Sequence, residues 1–227
     1  TTAGTLTSRV DNPSNVFATL MTEPSRTLSG TPYRGTLTNG NTKFDATGNT
    51  AGSISSVSSL GATSGKYYME AQLKGNNSHA RIGVATIDGY NGTSWLGNSS
   101  DNNYALYQAS DGAKYVGSSS SSYGASYAVD DIIGVAMDLD NNTVTFYKNG
   151  ATQGSISITD NDKFKHFHVS GYDNTGSDIT RWLCNFGNGY FGSTQISSEG
   201  TNASGIGKFE FDVPANHSAL STKGMNL

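Results

Sequence analysis

The segment Tyr127–Gly150 reads YAVDDIIGVAMDLDNNTVTFYKNG, two apolar runs and two turns. Ile132–Leu139 carries apolar side chains on both parities, which predicts a strand covered on both faces. In Thr143–Lys148 only Val144 and Phe146 share an apolar parity, so this strand is expected to be half exposed. Asp140-Asn141-Asn142 joins the two, and Asn149-Gly150 sends the chain on into Gly154–Ile158. Asn-Gly is the strongest short hairpin signal, because a type I′ turn needs positive φ at both central residues. A covered strand beside a half-exposed one belongs in the interior of a layered β protein.

Composition agrees with an all-β chain. Of 227 residues, 34% are hydrophobic and 14% charged, with 28 Gly and 12 Tyr; this is too little charge for a helical protein rich in Glu and Lys. The net charge is −4, from 14 basic and 18 acidic residues with no basic cluster, which argues against nucleic acid as a partner. No run approaches the roughly 18 apolar residues of a membrane span, and no signal-peptide core is visible. The single cysteine, Cys184, sits in an apolar setting and reads as a buried thiol.

Outward from the central segment, Thr1–Arg26 reads as an arm with one short edge strand, and 27–227 as the sandwich domain. Asn39-Gly40 predicts a turn, and Ser53–Gly65 a loop with one weak strand. Lys66–Lys74 alternates cleanly: Tyr67, Met69, Ala71 and Leu73 face the core, while Tyr68, Glu70, Gln72 and Lys74 face away. Gly117–Gly124, with five consecutive serines, reads as a low-complexity loop. Phe167 and Val169 are core positions, and His166 and His168 are placed on an exposed face. Trp182, Cys184 and Phe186 share a core face, and Lys208–Asp212 is expected to be a strand with Phe209 and Phe211 inward. No segment sustains a 3.6-residue period, so almost no helix is expected. The fold class is a two-sheet antiparallel β-sandwich.

Chemical motifs are sparse. Gly187–Gly192 fits G-x-G-x-x-G, but no helical pattern follows to aim amides at a pyrophosphate, so no cofactor is expected. Glu210 and Asp212 share a parity, as glycosidase carboxylates can, yet Lys208 lies on it too and a solvated face is the better reading. Asp138–Asn142 is oxygen-rich, but it lacks the Gly and distal Glu of a calcium loop and reads as a turn. No third ligand lies near His166 and His168, and Cys184 has no neighbouring base, so neither a metal nor a catalytic residue is assigned.

The order of segments resembles the SPRY domain, a concanavalin-like jelly-roll sandwich. The residues that carry it are Gly65–Glu70, Arg81–Ala85, Asp131–Asp138, Thr145–Gly150, Asn185-Phe186-Gly187 and Ala219–Thr222. Asp11-Asn12-Pro13, Phe17–Leu20, Leu37–Asn41 and the extended Gly187–Pro214 further resemble SPRY variants of bacteriophage and marine viral structural proteins. The resemblance implies a non-enzymatic interaction module, a homo-oligomeric subunit of a virion surface such as a head decoration or tail fibre. Its partners would be other virion proteins or a host surface glycan or protein; a lectin-like, glycan-binding module is the alternative. The contact residues expected on the connecting loops are Tyr90, Trp95, Tyr123, Tyr172, Asp173 and Tyr190, since aromatics on long loops anchor interfaces.

Overall fold

The computed structural model describes residues 15–22, 35–47, 54–87, 104–117, 119–159, 162–171 and 179–226. Two antiparallel sheets pack face to face. The first runs, edge to edge, β1 (Leu20–Thr22), β4 (Ile54–Ser58), β13 (Lys165–Gly171), β6 (Arg81–Thr86), β7 (Tyr104–Gln108), β8 (Ala113–Val116) and β9 (Ser119–Ser122). The second runs β12 (Ala151–Ser157), β11 (Thr143–Lys148), β10 (Ile132–Asp138), β5 (Lys66–Gly75), β14 (Thr180–Asn185), β3 (Lys43–Ala46) and β2 (Gly35–Thr38). A short β17 (Ser218–Ala219) lies parallel to β5, and β15 (Tyr190–Phe191) with β16 (Thr194–Gln195) forms a separate hairpin. One 3-10 turn, Gly224–Asn226, is the only named helical element among the described residues.

The central meander forms as its sequence dictates. Asn149 and Gly150 take φ of 48° and 81°, and Asn149 locks the turn with its side chain. Its Oδ1 accepts the Ile132 N–H at 2.8 Å while its Nδ2 donates to Asp131 at 2.6 Å. In β11, Val144 and Phe146 are fully buried, while Thr145 faces out and pairs with Ser155. Trp182, Cys184 and Phe186 are fully buried on β14 and just beyond it, and burial pushes the Cys184 thiol pKa up.

Several expectations fail, some of them because distant chain covers what alternation assigns to solvent. His166 and His168 are buried, since β13 sits inside its sheet between β4 and β6. Gly61 lies against the His166 ring so closely that a Cβ there would come within 2.5 Å of Nε2, and Nδ1 meets the Ser58 carbonyl at 2.8 Å. The weak strand expected in Ser53–Gly65 is β4, buried at all five residues. Its small serines let neighbouring chain approach: Ser58 Oγ accepts the Phe167 N–H, and Ser56 Oγ donates to the Met21 carbonyl. The serine run of Gly117–Gly124 is no loop over Ser119–Ser122 but the edge strand β9, paired with β8. Finally, Lys208–Asp212 forms no strand. It touches Asn188 through a single bridge, with Phe209 inward and Phe211 half-buried against Gly150.

That segment covers a further face that alternation assigns to solvent. It lies across β5 and buries Tyr68 and Glu70, both expected to point to water. The amides of Glu210 and Phe211 donate to Glu70 Oε2 and Oε1 at 2.8 and 2.9 Å, and the Tyr68 hydroxyl donates to Oε1 at 3.2 Å. Burial pushes the Glu70 carboxyl up to about 7 despite these donors, which pull it down. Residues 15–22, read as part of an arm, are built into the body. Phe17 is buried and bridges Ser221, Ala18 N–H donates to the Leu220 carbonyl, and Leu20 N–H donates to that of Asn41.

Phe146→Ala and Trp182→Ala should each cost about 3–5 kcal/mol. His168→Ala should cost about 1–3 kcal/mol, whereas Phe164→Ala, at a side chain 60% exposed, should stay within about 0.5 kcal/mol. Matching urea midpoints for His168→Ala and Phe164→Ala would refute the burial of β13. Glu70 also predicts a pH dependence. A carboxyl raised in the folded state contributes stability that is complete below its unfolded value of about 4.3 and is lost as pH rises through 7. The His166 ring, held neutral by burial, acts oppositely, losing stability as pH falls below its ordinary value. The comparison of parent with Glu70→Gln isolates the carboxyl: from pH 4.5 to 8 the parent should lose roughly 3 kcal/mol relative to the variant. A difference that does not move with pH would contradict the raised value.

Candidate interaction surface

The open flank of the sandwich is formed by the two edges β9 and β12. All four residues of β9 are exposed, as are Ala151, Thr152, Gly154, Ser155 and Ser157 of β12, and neither strand carries a charge. Tyr123, expected to stand free, closes the gap between these edges instead. Its ring packs edge-on against Tyr107 at 5.4 Å and Phe146 at 5.9 Å, and its hydroxyl donates to the Gly154 carbonyl. Burial pushes that hydroxyl's pKa well up. The Gly and Ser around Tyr123 hid this. With no Cβ on Gly124, the Gln153 side chain and the Tyr107 hydroxyl approach to where it would stand, and Gln153 accepts the Ala125 N–H.

Tyr190 stands half-buried in the β15–β16 hairpin, opposite Gln195. The surrounding G-x-G-x-x-G adopts positive φ at Gly187, Gly189 and Gly192. The amides of Gly187 and Gly189 donate to Asn185 Oδ1 at 2.9 and 3.1 Å, so they hold the loop to β14 rather than facing a ligand. Tyr90, Trp95, Tyr172 and Asp173 lie outside the described residues.

Two concavities flank the segment that covers β5. A groove of about 550 Å³ runs between Asn149–Ala151, Ser198–Gly200 and Glu210–Asp212. Its carboxylates are committed to neighbouring chain. Glu210 accepts the Ser197 N–H at 2.7 Å, Asp212 accepts the Thr201 N–H at 2.7 Å, and Glu199 pairs with Lys208 at 2.7 Å. These contacts fasten loop 197–201 and leave Glu210 and Asp212 as structural anchors. A second cavity of about 400 Å³ opens beside Lys66, Tyr67, Asp140, Asn216 and His217. Sequence reading missed it because Tyr67 lies on a core parity and Asp140 in a turn. Asp138 in that turn is held by Lys66 at 2.6 Å and by the Asn141 amide at 3.0 Å, and these contacts keep its carboxyl below the usual carboxylate range against the opposing effect of burial. Among the described residues no three His, Cys, Asp or Glu side chains gather as a metal set, and no helix is long and apolar enough to cross a membrane.

Residues 66–170 match the SPRY domain family. The SPRY domain of human HERC1 is similar in fold with a TM-score of 0.54 and 18% identity, over 66% of this chain and 91% of that one. A second human SPRY domain gives 0.50 and 19%, over 65% and 93%. No curated protein matches the chain. From β5 to β13 this chain matches the SPRY domain, and the strands before and after that stretch complete the same two-sheet sandwich.

Proposed function

We propose that this chain is a non-catalytic interaction module that serves as a structural subunit of a virus particle. The observation that carries the reading is how the segments resembling viral SPRY variants are built in. Phe17, Gly187, Gly207 and Ala219 converge so tightly that a Cβ on Gly187 would come within 2.8 Å of the Phe17 ring and 2.9 Å of the Ala219 methyl. Leu20 is tied to Asn41, and Gly207 leads into the segment clamped by Glu70. These additions thus form one continuous layer outside the stretch matched to the SPRY domain. The polar groups of that layer serve its own folding, which suits a rigid scaffold that offers surfaces to partners. Other virion proteins are the partners proposed, with residues 1–14 and the loops bearing Tyr90, Trp95, Tyr172, Asp173 and Tyr190 as contacts. Tyr123 is set apart from them as a structural plug.

Deleting Thr1–Ser14 should leave the melting temperature within about 2 °C of the parent and abolish incorporation into particles, read by mass spectrometry of purified particles. Deletion through Thr22 should unfold the domain, because it removes Phe17 and β1. Retained incorporation after the shorter deletion would overturn the docking role. Tyr190→Ala should weaken partner binding with stability within about 1 kcal/mol, whereas Tyr123→Ala should lose about 2–4 kcal/mol.

A further inference from the structure

We propose that the cavity of about 400 Å³ beside Tyr67 binds a neutral, hydroxyl-rich small molecule of the size of a single sugar ring. Its volume lies at the lower end of the roughly 300–1,000 Å³ of small-molecule sites. Its lining comes from five separate stretches of chain, and part of their hydrogen-bonding capacity is unspent. Tyr67 is 5% exposed, yet its hydroxyl bonds to none of the described residues. Gly65 keeps room for this hydroxyl, since a Cβ there would stand 2.7 Å from it.

Residues with acceptors line the same space. Asp140 uses Oδ1 to accept the Gly65 N–H at 2.7 Å, and Oδ2 bonds to none of the described residues. His217 donates from Nδ1 to the Ala215 carbonyl at 3.0 Å, which leaves Nε2 as an acceptor, buried and unpartnered. Asn216, held at a φ of 64°, adds a carboxamide with no internal bond among the described residues. One ligand carrying several hydroxyls satisfies both kinds of group, because each hydroxyl donates and accepts. Charge selects a neutral one. The Lys66 ammonium is already paired with Asp138 at 2.6 Å, so an anion would meet Asp140 with no free cation to offset it.

The inference does not rest on the virion reading; particle incorporation tests that, and sugar binding tests this. The full chain would be titrated with glucose, galactose, mannose, N-acetylglucosamine and myo-inositol to about 50 mM, followed by amide chemical shifts. At least one should move the amides of Gly65, Asp140, Asn216 and His217 and leave those of β9 still. Tyr67→Phe, which removes only the hydroxyl, should weaken that binding about tenfold with an unchanged melting temperature. Ala203→Trp, at the rim, should abolish it. No shift with any probe, shifts centred elsewhere, equal binding by Tyr67→Phe, or tighter binding of glucose 6-phosphate would each overturn the proposal.

Discussion

A carboxylate buried in the middle of β5 receives two consecutive backbone amides from a segment 140 residues further along the chain. Much of the molecule depends on that contact. An ionised carboxylate in the interior is costly unless its oxygens are bonded, and consecutive amides satisfy both at once. The geometry works only if Lys208–Asp212 runs irregularly, because in a regular strand adjacent amides point to opposite sides. The absence of a strand at that segment and the burial of Glu70 are thus one fact. With the clamp in place, Phe209 reaches Tyr68 at 5.1 Å edge-on, and Phe211 settles against Gly150. The outer face of β5 becomes a second, smaller core, and both concavities form along its borders.

The clamp also separates what was legible in the sequence from what was not. The turns at Asn39-Gly40 and Asn149-Gly150 were readable because positive φ is a local demand that Asn and Gly meet alone. The Trp182, Cys184 and Phe186 face was readable because its three large side chains share one parity. Tyr68, Glu70, His166 and His168 were not. Alternation tells two faces of a strand apart only by polarity, and it marks the polar face as wet even where distant chain lies over it. No local pattern records that Glu210 meets Glu70, or that Gly61 lies on His166.

Small residues concealed the remaining features. Ser119–Ser122 has no hydrophobic period, so its identity as an edge strand comes from pairing with Ala113–Val116 and not from its own side chains. Tyr123 was misjudged for a related reason. Glycine next to an aromatic ring looks like loop in a sequence, while in the sandwich Gly124 is what lets the neighbouring groups close in. Of the expected contact residues, only Tyr123 and Tyr190 could be placed, and only Tyr190 stands clear of the main core.

The seam between residues 15–22 and 217–226 has a kinetic consequence. Val16 accepts the Thr222 N–H at 3.0 Å and donates its own N–H to Thr222 Oγ1, a contact spanning 206 residues. Closing a loop that long costs about 5 kcal/mol of chain entropy, which no neighbouring contact in sequence offsets. The β10–β11–β12 meander can form as soon as it is synthesised, since its pairings are short in sequence. The seam, the Glu70 clamp and the burial of Phe17 must wait for the last segment. Folding of this sandwich is therefore set up to be slow and ordered, with the meander early and the outer layer late. Until that layer arrives, Tyr68 faces water, and in that interval the chain is exposed to aggregation.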